Sequence, residues 1–441
     1  MDAKPAAQVR PKKRWPASLW LFIGALGLLQ LSQILQFPPG SDVSPFTIQT
    51  VGLWPNTLAG ITVITWAFII LTAVSLPGAI SRTNDSVEGG LAIWFALVTL
   101  SLISLLTTSS ANNLVDGVGA LAIPVIAYMF LVARIRDAGS DIGTKIIFWV
   151  NIFTVGQVGV AYFITGSFGP NRYYRELDQE FFGLFYHPFA FAGILGICTV
   201  VAFRHVLGRR QIALNATLVA LNVGFIVLSD VRTYILATAV GLAISVLVLT
   251  IRRRHLALAL AIPSLVIAAA VIGAGDLILS GERVTGAFDS GRFARWQLDL
   301  ETVWEEAGIV QLYFGGGPQY ILELNQSLFG SNINSLNLAI DLLVDFGIVG
   351  SILYIFIWIL IIRDAARFGD AQVVWPLVGF VVVATMISNI IAFPAVAVLF
   401  AVALTSCCQS SSRESNAHSG ASSTAVPRGS GEQRMVGRGI H

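Results

Sequence analysis

The chain has 441 residues, 55% of them hydrophobic and 12% charged, with a mean hydropathy of +0.75, a composition that rules out an ordinary water-soluble globular protein. A formal net charge of +2 is too near neutral to point to nucleic acid. Its three cysteines, Cys198 inside an apolar run and Cys407–Cys408 at the end of another, are no external disulfide framework and read as buried thiols.

A bilayer core about 30 Å thick takes about 20 apolar helical residues to cross. In chain order the stretches that qualify run roughly Trp15–Phe37, Asn56–Leu76, Gly89–Thr107, Leu114–Ala133, Lys145–Thr165, Tyr186–Phe203, Gln211–Leu228, Thr233–Leu249, Leu256–Ala274, Gly347–Ile362, Val373–Phe393 and Ala395–Cys407. The expectation is an all-α membrane protein of about twelve spans. The first run follows "RPKKRW" but is too long for a signal peptide and is followed by no small-residue cleavage site, so it reads as an uncleaved anchor.

Basic residues collect on the cytoplasmic side of membrane spans. With the N-terminus inside, twenty-one of the 27 Lys and Arg fall on the inner side, and Arg172, Arg175, Arg232, Arg283, Arg292 and Arg295 fall outside. None is left in mid-membrane. A missed span would reverse every later assignment, so this agreement supports twelve spans with both termini cytoplasmic, in the order 1–14 tail, 15–408 membrane domain and 409–441 tail.

Three segments depart from the pattern of short connections. The first is the outer loop "GPNRYYRELDQEFFGLFYHP", 169–188. The second is the large outer loop at 275–346, between the ninth and tenth spans; loops this long in a compact domain are usually functional. The third is the Ser/Gly-rich tail, whose composition cannot bury a core and reads as disordered.

Within the large loop, "RWQLDLETVWEEAG" spaces Trp296, Leu300, Val303, Trp304 and Ala307 as on one amphipathic helix, with Asp299, Glu301, Glu305 and Glu306 elsewhere around the turn. Such a helix lies along the membrane surface or caps the bundle. Downstream, Asn334, Asn337, Asp341 and Asp345 recur three and four residues apart, one polar stripe on an otherwise apolar helix. Lipid does not tolerate unpaired carboxylates, so the stripe should face a wet cavity or a partner charge.

Arg232, in "VLSDVRTYIL", sits beside Asp230 in a tight connection between two spans. Alone it would be a snorkelling arginine at a helix end. All six outward arginines, however, come from loops that also carry carboxylates, and orientation disfavours them there. The job that outward guanidinium groups suit best is to hold an anionic ligand, phosphate above all, through forked hydrogen bonds. His187, in "FYHPFAFAG", is the one outward histidine of five; a lone histidine is more often structural, but its place at a span mouth in a loop rich in arginine and acid makes it a candidate for contact with substrate. "FGGGPQY" lacks the Lys and Ser/Thr of a nucleotide-binding loop, so Gly315–Gly317 reads as a turn, with close approach to a ligand the weaker alternative. No cluster has metal-ligand spacing, and no cofactor is expected.

Four stretches together resemble the O-antigen polymerase and O-antigen ligase family of bacterial membrane glycosyltransferases, in the family's order. They are "GLFYHPFAFAGIL" at a span mouth, "LSDVRTYIL" as a short outer turn, "SGRFARWQLDLETVWEEAGIVQLYFGGGP" opening the large loop, and "LNLAIDLLVDFGIVG" closing it. Each is weak alone. Ligases of the family carry a His immediately before the closing Asn; here Leu336 precedes Asn337, which tilts the likeness towards a polymerase.

The resemblance implies metal-independent, inverting transfer at the periplasmic face of the inner membrane, from a polyprenyl-diphosphate-linked glycan to a sugar hydroxyl. Arg232 and Arg292 match the family's arginines and would stabilise the departing diphosphate; Arg175, Arg283 and Arg295 would assist, with Asp230, Asn337, Gly315 and Gly317 as further substrate contacts. Candidates for the base are His187, Asp341 and Asp345. Membrane lipid, a flippase and a chain-length regulator are the implied partners. The rival readings are ligase-type transfer, a secondary transporter and a non-catalytic component of polysaccharide export.

Overall fold

The computed structural model describes residues 17–35, 57–58, 61–62, 70, 89–107, 111–138, 142–169, 181–185, 187–252, 292–305, 307–330, 335, 337–368, 371–388 and 394–407. Arg172, Arg175, Arg283, Asn334 and Leu336 lie outside them, as do the two tails and nearly all of the expected spans at 56–76 and 256–274. The helices are α1 (Ala17–Leu35), α2 (Gly90–Thr107), α3 (Ala111–Ala138), α4 (Ile142–Thr165), α5 (Pro188–Leu207), α6 (Ile212–Leu228), α7 (Arg232–Arg252), α8 (Arg292–Glu305), α9 (Ile309–Phe314), α10 (Tyr320–Phe329), α11 (Leu338–Phe368), α12 (Ala371–Ser388) and α13 (Pro394–Cys407). A two-residue antiparallel ladder, β1 (Thr57–Leu58) with β2 (Ile61–Thr62), stands where the second apolar run was expected to begin as helix.

Helices α2, α4, α5, α7 and α11 contain segments long and apolar enough to cross a membrane, and α1, α3, α6, α12 and α13 contain shorter apolar ones. Those ten correspond to the expected runs other than 56–76 and 256–274. Their surfaces are reversed relative to a water-soluble protein. On α4, Asn151, Thr154 and Gln157 are buried while Trp149, Phe153 and Phe163 face out, Phe163 at 93% exposure. An aqueous helix would place its apolar stripe inward, so this arrangement suits lipid.

Helices α3, α5 and α13 form the centre: residues Leu121–Val132, Ala190–Ala202 and Ala395–Thr405 are buried throughout. A helix apolar on all sides is stable only when surrounded. Small residues let the helices close up; a methyl on Gly196 would collide with the Phe380 ring, and one on Gly193 would meet Tyr234 and Val396 at 3.0 Å. That contact aligns the start of α13 with the start of α5. The ring of Phe189, near the start of α5, lies 6.2 Å from that of Tyr234, near the start of α7. Short connections at 369–370 and 389–393 make α11, α12 and α13 successive antiparallel neighbours. Helices α5, α7, α11 and α13 therefore all begin at one end of the bundle.

Helix α11 is interrupted at Gly347, where the backbone takes φ 65° and ψ −172°. In a continuous helix the carbonyls of Val344 and Asp345 would accept from residues 348 and 349. Here they accept the N–H groups of Gly316 and Gly317, each at 3.0 Å. The Gly315–Gly317 turn thus closes the break, and close approach is needed on both sides: a methyl at Gly347 would run into the backbone of Tyr313, and one at Gly315 into that of Asp345. Gly315–Gly317 is thus a turn, and its close approach is to the backbone of α11.

Before the break, α11 joins two cores. Leu342 and Phe346 belong to the main bundle, while Ile340 and Val344 pack with Val303 of α8 and Ile321 and Leu324 of α10. The 292–346 region accordingly contains a small helical subdomain seated on the start of α11.

Candidate functional site

His187, Arg232 and the 337–345 stripe are brought to the same end of the bundle by the parallel starts of α5, α7 and α11. His187 is the N-cap of α5, its Nδ1 accepting the Phe189 N–H at 3.2 Å. The residues before it are pinned by Gln157, whose Oε1 accepts from Leu184 N–H and whose Nε2 donates to the Phe182 carbonyl at 3.4 Å. Burial lowers the His187 pKa to about 3, so the imidazole is neutral near pH 7 and a weak base. Only part of the residue is reached by solvent; the capping bond and the surrounding protein, rather than water, set its chemistry.

The α6–α7 turn is held by its own backbone. Ser229 Oγ donates to the Ile226 carbonyl at 2.8 Å, and Asp230, in the left-handed region at φ 49°, donates its N–H to Val227 at 3.1 Å. Aspartate tolerates that conformation better than most residues. Arg232 then opens α7, with Nε 3.8 Å from Asp230 Oδ1 and the two side chains 50% and 44% exposed. A pair this long and this exposed contributes about 0–1 kcal/mol. The guanidinium also stands at the positive end of the α7 macrodipole, where a cation is disfavoured by about 0.3–1 kcal/mol and an anion favoured. Below the turn, a narrow apolar crevice runs between Val223, Ile226 and Val227 of α6 and Ile235, Thr238 and Leu242 of α7. The crevice surface is apolar throughout; Thr238 Oγ1 is buried beside Gly196 of α5, without a hydrogen-bond partner among the described residues.

The stripe on α11 is satisfied mostly by backbone. Asn337 caps the helix, its Oδ1 accepting from Ala339 N–H at 3.0 Å. Asp341 accepts from the N–H of Ser335 at 2.9 Å and from its hydroxyl. Asp345 accepts from the N–H groups of Gln319 at 3.0 Å and Ile321 at 2.8 Å. Those are the first, otherwise orphaned donors of α10, so a carboxylate on one helix caps another. The stripe was expected to face a wet cavity or a partner charge; its carboxylates meet the ends of peptide dipoles, and Asp341 also lies within electrostatic reach of Arg295.

Arg292 begins α8, two turns before Asp299. Arg295 donates from Nε to Asn325 Oδ1 at 3.2 Å and lies 4.6 Å over the Phe329 ring. Burial draws its pKa down while Asp299 and Asp341 push it up. Trp296 Nε1 donates to the Ser335 carbonyl at 2.7 Å, fastening α8 to the approach to α11.

Asp299 is the residue that pattern reading misplaced. Positions 296, 299 and 303 are three and four apart and share one face, and that face is buried: Asp299 is 0% exposed and neither carboxylate oxygen has a hydrogen-bond partner among the described residues. Burial raises its pKa to about 6 against the pull of Arg295, with Asp341 adding to the rise. The available signal was its i+4 spacing from Arg295 and i−4 spacing from Val303. Ser335 and Asn325 carried no such signal, because their partners are distant in sequence.

Among the described residues no group of His, Cys, Asp and Glu is placed to hold a metal ion. Compared with known proteins, the chain matches no family model and no curated protein.

Proposed function

We propose that this protein polymerises polyprenyl-diphosphate-linked oligosaccharide repeat units at the periplasmic face of the bacterial inner membrane, with twelve spans, both termini cytoplasmic and the 275–346 loop outside. The observation that carries the reading is Arg232: an exposed cation in the first turn of a membrane-length helix, where the macrodipole opposes it, and directly above an apolar crevice. A cation so placed suits the phosphate of a lipid whose chain lies in hydrocarbon below.

In this reading the anomeric C–O bond of the donor breaks and the diphosphate leaves with the electron pair. The acceptor hydroxyl oxygen forms the new bond to the anomeric carbon, and its proton passes to a base. Arg232, Arg292 and Arg295 stabilise the charge developing on the diphosphate. Asp341, Asp345 and His187 are the candidates for that base, each already engaged in hydrogen bonds. Asp345 spends both oxygens on backbone N–H groups, and His187 has a lone pair committed to a cap.

A secondary transporter is the second reading, and the break in α11 beside two carboxylates favours it, since transporters use broken helices near their substrates. Here the carbonyls freed by the break accept from Gly316 and Gly317, which leaves them committed to protein. The deciding experiment places the purified protein in liposomes with lipid-linked repeat units. Polymer from the wild type, none from Arg232→Ala or Arg292→Ala and partial recovery with Lys are expected; full polymer from Arg232→Ala overturns the assignment. Gradient-driven uptake without polymer selects the transporter.

A further inference from the structure

Helix α9 and the end of α8 present large apolar side chains that no described element covers. Ile309 is 77% exposed, Val310 70% and Trp304 72%, with Tyr313 and Phe314 exposed beside them. Residues 307–322 contain no Asp, Glu, Lys or Arg, unusual for a connection between helices outside a membrane. Patches this apolar on a segment meant for water mark an interaction surface.

Three observations say what covers it. First, α9 packs along α11 and also touches α2, whose outward residues at the end nearest the α11 start are Leu102, Leu105 and Leu106; the patch therefore continues the lipid-facing surface of the spans. Second, its level is set by covalent and hydrogen-bonded ties: the turn that follows α9 is bonded to Val344 and Asp345, immediately before the apolar run of α11 that starts at Ile348. Third, its chemistry is aliphatic with Trp304 and Tyr313, the amphipathic aromatics that settle at the boundary between headgroups and acyl chains.

We infer that Trp304, Ile309, Val310, Tyr313 and Phe314 form a membrane-interface anchor, seated in the outermost acyl layer of the leaflet at the α11 start. The occupant is bilayer lipid. The anchor holds α8–α10 against the bilayer surface and fixes the height of the charged cluster on α8, whatever reaction that cluster serves; the inference does not depend on glycosyl transfer.

The test uses the full chain with Cys198, Cys407 and Cys408 replaced by Ala, carrying an environment-sensitive fluorophore on Val310→Cys or on Gln326→Cys, an exposed site on α10, in phosphatidylglycerol/phosphatidylethanolamine liposomes. The expected result is quenching of the 310 label by a lipid nitroxide near the headgroup, with at least fivefold protection from aqueous iodide relative to the 326 label. Equal iodide quenching at both positions overturns the anchor. Protection of position 310 from both quenchers also overturns it, because protein then covers the patch, whether another segment of this chain or a second copy. A second variant, Ile309→Asp with Val310→Asp, is expected to increase protease cleavage within 292–330 severalfold in liposomes while changing it little in detergent; the same increase in both media overturns the lipid as the occupant.

Discussion

Replacing Asp299 with asparagine should make the α8–α10 subdomain more stable at neutral pH and remove most of its pH dependence. Asp299 has an ordinary pKa of 3.8 and about 6 in the fold. The folded state therefore holds the proton more tightly, so the stability tied to this group is fully present below about 4, falls as pH rises and is lost above about 6. The difference between 3.8 and about 6 corresponds to about 3 kcal/mol at 1.36 kcal/mol per pH decade. The subdomain is small and near solvent, and screening reduces the figure to on the order of 1–2 kcal/mol, or roughly a 5- to 30-fold change in local opening. The groups that face Asp299 are Arg295 on its own helix and Asp341 on α11, so the control is Asp341→Asn. Hydrogen exchange of peptides covering 295–305 and 320–329, corrected for intrinsic rates between pH 4.5 and 8, reads the opening. Wild-type protection should fall with pH, and the Asn variant should be flat and better protected at pH 7. The same slope in wild type and Asp299→Asn would refute the reasoning.

Removing the carboxylate of Asp345 strands two N–H donors of α10, that of Ile321 buried and that of Gln319 partly so, so Asp345→Ala should cost about 2–4 kcal/mol and show as a lower melting temperature in fluorescence-detected size exclusion, with Asn recovering part of it through one acceptor. Gly347→Ala and Gly330→Ala share a φ of 65°, but only position 347 is walled in by backbone; the first should abolish assembly, whereas the second should cost about 1–2 kcal/mol, and equal effects in expression and melting would refute the role given to the α9–α11 approach. His187→Ala should cost about 1 kcal/mol through loss of the α5 cap, with Asn restoring it; a pH–activity profile that loses an inflection near 6 only in the Ala variant would instead make His187 the titrating base.

Ten apolar helices were legible along the chain, and the reason is physical; that Asn337, one member of a polar stripe, caps α11 is a finding of the structure. Hydrophobic length is a one-dimensional property that the bilayer reads residue by residue. The inside-out character of α4 follows from the same logic, since Asn151, Thr154 and Gln157 recur at helical spacing. What the tertiary structure alone decided depends on partners that sequence spacing does not pair. Asp345 reads locally as one more acid in a polar stripe, yet its partners are the N–H groups of residues 319 and 321, which arrive only because α11 breaks at Gly347 and the glycine turn slots into the break. Asp299 reads as a surface acid, yet α8 docks on that face and removes it from water. Helix packing chooses which side of an amphipathic element is buried and which distant backbone meets a carboxylate, and those two choices turn a run of ordinary acids into a capped, proton-sensitive cluster.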